Sequence, residues 1–148
     1  MTADLVIAAD ECDVEWSEDG ATWAEVPGCK TIAIPKVTTE TRDRTSLSSP
    51  GRFREWGRGM KDTSEVTLNC FYHPDLQEKA IGYDNANKLV HFRVQLPPIE
   101  GLQSTGDKFQ YVAFVTPGVP DTDFDNDLML ALELRPSGPL DWTKGAAL

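Results

Sequence analysis

Four aspartates at alternating positions are the residues of this chain whose spacing most resembles a metal site. They lie in the segment DTDFDND, as Asp121, Asp123, Asp125 and Asp127. Alternating carboxylates open a calcium-binding loop, but such a loop also needs a glycine at its sixth position and a glutamate at its twelfth. This chain has Asn126 and Leu132 at those positions. We therefore expect no metal cofactor and interpret the segment as an exposed acidic turn between two strands.

Residues that could support nucleophilic catalysis are not grouped in the sequence. His73 and His91 are 18 residues apart, and neither has a serine or cysteine nucleophile in an elbow motif beside it. Gly57 and Gly59 lie in the segment WGRGM, which lacks the Lys-Ser/Thr pair of a phosphate-binding loop. We predict a protein without enzymatic activity or cofactor, with His91 on the surface and His73 at the start of a helix.

The three cysteines show no pattern of a disulfide framework. Cys12, Cys29 and Cys70 are odd in number and widely spaced, and no CxxC pair suggests a metal or redox site. We interpret them as small buried hydrophobic side chains.

A basic segment stands out from an acidic chain. Residues 36–64, which we call the arm, contain seven basic and four acidic residues, whereas the whole chain has a net charge of −10. Loops longer than about 12 to 15 residues are uncommon in compact domains, and most are functional or disordered. Because the obvious complement of a positive arm is the rest of an identical negative chain, the arm predicts self-assembly.

Nucleic-acid binding is the alternative explanation for the arm. Its central part alternates arginines with aromatic residues, a pattern that can grip single strands: Arg52, Phe53, Arg54, Trp56 and Arg58. Glu55 interrupts this pattern, and the acidic flanks repel phosphates. Arginine and aromatic residues also concentrate in protein interfaces, which we therefore favour.

Composition is that of one globular domain spanning residues 1–148. The hydrophobic fraction of 40% is ordinary for such a domain. The first ten residues have no basic leader and only a short apolar run, so we expect neither a secretory signal nor a membrane span.

Alternating hydrophobic residues predict an all-β fold with one helix, arranged as a β-sandwich or partly closed barrel. The expected strands are a hairpin at 12–26 and single strands at 30–34, 66–72, 88–96, 109–116 and 128–134, giving six or seven in all. Leu76, Ala80 and Tyr83 have helical spacing, and Asp75 with Glu78 resembles a capping box that starts a helix of about ten residues. The arm is expected to be a long inter-strand loop, and residues 136–148 an extended tail.

The order of these elements resembles a known family. The arm segment TSLSSPGRFREWGRGMKDTSEVTL, followed by a strand, the helix HPDLQEKAI and three more strands, is similar to the tail tube (major tail) proteins of long-tailed, non-contractile bacteriophages. That group includes the lambda major tail protein. The resemblance covers residues 38–136.

The resemblance implies a structural subunit of a virion tail that assembles in the host cytoplasm into stacked six-membered rings. Its partners would be further copies of itself and the tape-measure, tail-terminator and distal-tail proteins, with DNA crossing the lumen without specific binding. The four aspartates would line that lumen or the outer surface. The contact residues between rings would be Arg42, Arg44, Leu47, Arg52, Arg54, Trp56, Arg58, Met60 and Lys61.

Two other assemblies and one enzyme class remain as alternatives. The tube of a gene-transfer particle or of a type VI-like secretion machine would use the same ring for a different cargo. A capsid decoration protein or other binding module would predict that the arm is dispensable for assembly. A small hydrolase is disfavoured because no nucleophile is paired with a base.

Overall fold

Antiparallel strands make up most of the computed structural model, which describes residues 12–32, 34–121 and 124–148. Within these residues the chain forms nine strands and one α-helix. In chain order the elements are β1 Asp13–Ser17, β2 Ala24–Glu25, β3 Val37–Asp43, β4 Trp56–Thr63, β5 Val66–Phe71, α1 Pro74–Asn85, β6 Leu89–Gln95, β7 Lys108–Pro117, β8 Met129–Pro136 and β9 Asp141–Thr143. The predicted class, all-β with one helix, is confirmed.

Seven of the described strands form one sheet, in the order β2-β1-β6-β7-β8-β5, with β9 pairing β7 beside β8. β7 is therefore a central strand of this sheet. The remaining strands, β3 and β4, pair only with each other. The sheet curls without closing, and a bridge between Cys29 and Cys70 brings the segment after β2 to the outer edge of β5. The predicted sandwich or partly closed barrel is consistent with this topology.

The core lies on the inner face of the three longest sheet strands. Strands β6, β7 and β8 each contribute three side chains to the hydrophobic core: Val90, Phe92, Val94, Tyr111, Ala113, Val115, Leu130, Leu132 and Leu134. Phe92 stacks on Tyr111 at 5.5 Å between ring centroids and meets Trp16 at 6.4 Å. Each large apolar side chain that is removed from water contributes about 1.5–3 kcal/mol. These three strands lie where the alternation in the sequence predicted strands, at residues 88–96, 109–116 and 128–134.

The turn between β1 and β2 is held by side-chain caps. Asp19 accepts hydrogen bonds from Thr22 N and Ala21 N, both at 2.9 Å, and Ser17 Oγ accepts one from Gly20 N. Because these donors favour the ionised carboxylate, they lower the pKa of Asp19 to about 2. The predicted hairpin at residues 12–26 is confirmed by the β1–β2 pairing.

The helix α1 covers one side of the sheet through the three predicted residues, Leu76, Ala80 and Tyr83, which are all buried. His73 lies at the start of this helix, as expected, but the cap is not the one predicted from Asp75 and Glu78. His73 is the N-cap residue, and its Nδ1 accepts a hydrogen bond from Asp75 N at 3.2 Å, so the proposed capping box is wrong. Proline at the first helical position has a backbone angle that already suits a helix, which explains a start two residues earlier than expected.

A strand was predicted at residues 30–34, but the described residues of this segment, 30–32 and 34, do not form one. Lys30 N donates to Asn69 O at 2.8 Å, but Asn69 N then donates to the Thr31 hydroxyl at 3.0 Å instead of to a backbone carbonyl. This side-chain acceptor ends the ladder after one bridge. Ile32, an apolar residue of this predicted strand, is 37% exposed rather than buried.

The fold adds detail to one further expectation and corrects another. Residues 136–148 pair with the body of the chain rather than extending freely, because Trp142 of β9 pairs with Phe109 and Ser104 N donates to Ala146 O at 2.8 Å. Of the cysteines, only Cys70 is buried, whereas Cys12 and Cys29 are partly exposed. None of the described helices has the length and apolar character that a membrane crossing needs.

Candidate assembly surface

The arm is a β-hairpin, which corrects the prediction of an irregular loop. Strands β3 and β4 pair from Val37 with Thr63 at the root to Asp43 with Trp56 near the tip, with a bulge between Thr39 and Thr41. The sequence already carried the two-residue period of a strand in Trp56–Thr63. Glycines at alternate positions concealed it, since they are read more readily as loop residues.

One face of this hairpin carries large exposed side chains. Trp56, Arg58 and Lys61 pair with alternate residues of β3, because the bulge shifts the register of β4 between Arg58 and Lys61, so these three side chains project from the same face of the ribbon. Trp56 is 57% exposed, and Met60, which lies at the bulge, is 79% exposed. An arginine beside an indole has the composition of the centre of a protein interface. We call Trp56, Arg58 and Lys61 the Trp56 face.

The opposite face is formed by cationic side chains lying over glycines. Arg44 covers Gly57 so closely that a Cβ atom there would overlap its guanidinium. Arg42 and Glu40 lie against Gly59 in the same way, at 3.3–3.4 Å from where its Cβ would be. The two glycines thus let long side chains lie flat across the ribbon.

The tip of the hairpin, residues 44–55, is ordered by short polar contacts. The Thr45 hydroxyl accepts a hydrogen bond from Glu55 N at 2.8 Å, and Arg44 N donates to Glu55 O at 2.8 Å. A tight turn at Pro50–Arg52 follows, in which Gly51 has a φ of +62°. These contacts extend the hairpin beyond the last strand pair.

Arginines and apolar side chains point outward from this tip. Leu47 is fully exposed and Phe53 is 76% exposed. Arg54 lies 3.8 Å from the Asp43 carboxylate, and hydrogen bonds from Thr45 lower the pKa of Asp43. Since both partners are largely exposed, this ion pair contributes little to stability. It leaves the Arg54 guanidinium accessible for a second contact.

The nine predicted contact residues are all exposed, and the hairpin arranges them in three groups. Those groups are the Trp56 face (Trp56, Arg58, Lys61), the glycine-backed face with the adjoining bulge (Arg42, Arg44, Met60) and the tip (Leu47, Arg52, Arg54). Phe53 belongs with the tip but was not among the predicted contact residues. The sequence pattern that could have indicated Phe53 is the alternation of arginines with aromatic residues.

The root of the hairpin is fixed to the main sheet. Arg135 of β8 reaches the carboxylates of Asp62 at 3.8 Å and Glu65 at 4.0 Å. The Thr63 hydroxyl, which is buried, donates to Gly138 O at 3.4 Å. The hairpin is therefore anchored at one end, while its other end projects with its apolar side chains uncovered.

The structure describes three of the four aspartates of the acidic turn. Asp121, Asp125 and Asp127 are exposed, and Asp123 lies outside the described residues. Among the described residues, no three His, Cys, Asp or Glu side chains are grouped closely enough to hold a metal ion. Phe124, which is fully exposed in the same loop, was missed by the sequence reasoning.

A concave surface with acidic rims lies between α1 and the β1–β2 hairpin. This groove has a volume of about 800 Å³ and an apolar floor of Trp16, Leu76 and Tyr83. Its rim carries the carboxylates of Glu18, Glu25, Asp75 and Glu78 and the ammonium groups of Lys79 and Lys88. We call it the acidic groove, since carboxylates outnumber cations two to one.

Both cations of the acidic groove are already engaged within the chain. Lys88 Nζ lies 3.5 Å from the Glu18 carboxylate. Lys79 Nζ lies 5.6 Å above the Trp16 ring. The carboxylates of Glu25 and Glu78 therefore leave the groove with an excess of negative charge next to an apolar floor. Such a surface suits an arginine flanked by an aromatic ring.

Solved structures share this fold. A chain from the tail of an empty gene transfer agent particle with C6 symmetry superimposes with a TM-score of 0.69 at 18% identity, covering 93% of this chain and 99% of that one. A chain from the six-fold symmetrised baseplate of the anti-feeding prophage gives 0.66 at 13% identity, with coverages of 97% and 98%. A chain of the SPP1 tail tube gives 0.63 at 15% identity, with coverages of 95% and 81%. No protein-family model and no curated protein matches the chain. The predicted resemblance to tail tube proteins is confirmed at the level of the fold.

Proposed function

We propose that this chain is a structural subunit of a tail tube, in which six-membered rings stack around a hollow channel. The observation that carries the proposal is the anchored hairpin whose apolar tip and Trp56 face have no cover within the described part of the chain. The fold that bears it is shared with a subunit of a C6-symmetric tail. In this proposal the chain has no catalytic role, and its location is the virion tail.

The geometry of the hairpin suits the contact between rings. A ring requires a head-to-tail contact that closes, and stacking requires a second head-to-tail contact that does not. A rigid root and a projecting tip give such a contact both reach and orientation. Leu47, Phe53, Trp56 and Met60 would lose their solvent exposure in it, which supplies the apolar driving force.

We further propose the acidic groove as the acceptor for the tip of a neighbouring copy. Arg52 and Arg54 flank Phe53 at the tip, and Glu25 and Glu78 flank the apolar floor of the groove. An aromatic side chain between two cations thus meets an apolar floor between two anions. Complementary charges of this kind fix orientation and accelerate association.

The acidic body of the chain suits a channel that DNA crosses without specific binding. Polyanion affinity depends on clustered Lys and Arg that replace counterions, and the chain outside the arm has a large excess of carboxylates. Asp121, Asp123, Asp125 and Asp127 are the residues we propose for the lumen or the outer surface. The tape-measure, tail-terminator and distal-tail proteins are the proposed partners, and the host cytoplasm the proposed place of assembly.

The proposal is tested by negative-stain electron microscopy of the purified protein across a concentration series, with particle mass measured in parallel. We expect hollow rods or stacked rings that grow with concentration. The variant Arg52→Glu/Arg54→Glu/Arg58→Glu should stay folded, as judged by circular dichroism, and fail to polymerise. Its matched control, Lys30→Glu/Lys108→Glu/Lys144→Glu, makes the same charge change on exposed residues outside the arm and should polymerise.

Two outcomes would contradict the proposal. Small compact particles of wild-type protein at every concentration would exclude spontaneous tube formation and favour a binding module. Tubes from the arginine variant that match those of the control would show that the hairpin is not the contact between rings.

A second candidate is the same tube in a gene transfer particle, because two of the structures with this fold come from such particles. The ring and the role of the hairpin would be unchanged, and only the DNA that travels through the tube would differ. Sequencing the DNA in particles that contain this chain separates the two candidates.

A further inference from the structure

We propose that Cys29 and Cys70 form an intramolecular disulfide when the chain meets a low-molecular-weight disulfide such as oxidised glutathione. The two residues face each other across the bridge that joins the segment after β2 to the outer edge of β5. This modification site depends only on the geometry of the single chain. Its consequence for a virion rests on the proposed function.

The backbone geometry of the pair fits a disulfide. Two backbone hydrogen bonds flank it, at 2.9 and 2.8 Å: Phe71 N to Gly28 O, and Lys30 N to Asn69 O. Because these bonds join the neighbours rather than the cysteines, Cys29 and Cys70 occupy a non-hydrogen-bonded position of an antiparallel pair. Opposed Cα atoms are about 4.5 Å apart at such positions, and disulfides span Cα separations of about 4.4–6.8 Å. The pair can therefore close without a shift of the backbone.

The two thiols differ in exposure and in pKa, as a stepwise thiol–disulfide exchange requires. Cys29 is partly exposed and Cys70 is fully buried. A hydrogen bond from the Cys70 thiol lowers the pKa of Cys29, while the same bond and burial raise the pKa of Cys70. Cys29 is thus the thiol that an external disulfide reaches and that ionises first.

The reaction balances with glutathione disulfide as the oxidant. The Cys29 thiolate attacks one sulfur of the oxidant, which releases one glutathione thiolate and leaves a mixed disulfide on Cys29. The Cys70 thiol then loses its proton and attacks the Sγ of Cys29, which releases the second glutathione. Two protein thiols become one disulfide, and one glutathione disulfide becomes two glutathione thiols.

The crosslink would fasten a junction at the edge of the sheet that a single bridge holds. Only one bridge joins Cys29 to β5, because the Thr31 hydroxyl ends the ladder. The hairpin lies within the loop that the disulfide would close, between residues 29 and 70. The crosslink would therefore also restrain the chain that leads to the root of the hairpin. Thiols stay reduced in most cytosols and oxidise outside them. A tail subunit would therefore assemble reduced and be locked after release.

The test uses the full chain with Cys12→Ser, which leaves only the proposed pair. Dilute protein is incubated with oxidised glutathione, treated with an alkylating agent and measured by intact mass and non-reducing peptide mapping. We expect a loss of two hydrogens, no alkylation and a direct link between the peptides of Cys29 and Cys70. The wild-type chain should give the same linkage. Two alkylated thiols, a lasting mixed disulfide at Cys29 or a link to Cys12 would overturn the proposal.

Thermal unfolding then tests whether the crosslink fits the native fold. Oxidation should raise the Tm of the Cys12→Ser chain by an amount on the order of 10 °C, because a loop of this length removes much of the unfolded-state entropy. The matched variant Cys12→Ser/Cys29→Ser should show no change in Tm with glutathione disulfide. An unchanged or lowered Tm in the oxidised pair would contradict the proposal. Both readouts use unassembled protein, so their failure is distinct from a failure to form tubes.

Discussion

Trp16 shows how one side chain joins the core to the surface. It is 2% exposed, and its ring meets Tyr83 of α1 edge-on at 5.6 Å between centroids. The Lys79 ammonium lies above the same ring, on the side that faces the acidic groove. Aromatic pairs of this geometry add about 0.5–1.5 kcal/mol beyond the area they bury. Trp16 therefore both holds the helix on the sheet and forms the floor of the proposed acceptor.

Exposed and buried apolar residues should respond differently to truncation. Met60→Ala, at a 79% exposed position, should change the free energy of unfolding by less than about 0.5 kcal/mol and yet raise the protein concentration needed for polymerisation. Leu68→Ala, at a fully buried position of β5, should cost about 2–5 kcal/mol. Urea unfolding of dilute protein and sedimentation of polymer measure the two effects. A Met60→Ala chain that is destabilised as much as Leu68→Ala would show that the hairpin packs against its own body.

The hairpin of β3 and β4 is the element on which the proposed function depends. It is a two-stranded ribbon whose strands pair only with each other. Isolated two-stranded hairpins are at best marginally stable in water. Contacts at the root, such as the Thr63 hydrogen bond to Gly138 and the Arg135 ion pairs, hold one end only. The free end thus has the low local stability that is common in segments that dock on a partner.

Hydrogen exchange should reveal this difference between the hairpin and the main sheet. In dilute monomer, the amides of residues 38–62 should exchange much faster than those of β6 and β7, because opening the ribbon exposes little buried apolar surface. Assembly should protect the same amides, since a neighbour would cover them. Mass spectrometry of protease fragments from monomer and polymer gives both rates. Equal protection in the two states would contradict docking of the hairpin between rings.

Elements with uninterrupted periodicity were predictable, and those set by side-chain hydrogen bonds were not. Strand β6 alternates Val90, Phe92 and Val94 with polar residues, and all three lie in the core as expected. The expected strand at 30–34 fails because the Thr31 hydroxyl replaces a backbone acceptor, which no hydrophobic pattern records. In β4, glycines concealed the alternation of Trp56 and Arg58, and no hydrophobic pattern shows the bulge that places Lys61 on their face. The composition of the proposed contact surface could therefore be read from the sequence, but its division into two faces could not.

The whole molecule separates charge in a way that favours association between copies. The basic arm projects from the body as a hairpin, whereas the acidic groove lies at the other edge of the sheet order, beside β1 and β2. A single chain with its positive and negative surfaces on different elements can repeat one contact from copy to copy. Because both surfaces are exposed, their attraction should weaken as salt shortens the screening length, which is about 8 Å at physiological ionic strength.

Exchanging charges between the tip and the acidic groove tests this arrangement directly. Arg52→Glu/Arg54→Glu at the tip, or Glu25→Lys/Glu78→Lys in the groove, should each raise the critical concentration for polymerisation at least tenfold, about 1.4 kcal/mol, by placing like charges together. Combining both pairs of changes restores opposite charges and should return the critical concentration toward the wild-type value. Sedimentation of polymer across a concentration series, at low and high salt, measures each variant.

The control for this experiment is Glu100→Lys/Glu133→Lys, which makes the same charge change at exposed positions outside the groove. Combined with the tip variant, it should leave polymerisation impaired, because it restores the net charge but not the local pairing. If it rescues the tip variant as well as the groove changes do, only net charge matters and the acidic groove is not the acceptor. If neither combination rescues, the tip docks on another surface. Rescue by the groove changes alone would identify one repeated contact, between a hairpin and a groove of the same chain, as the one that makes a stack of rings.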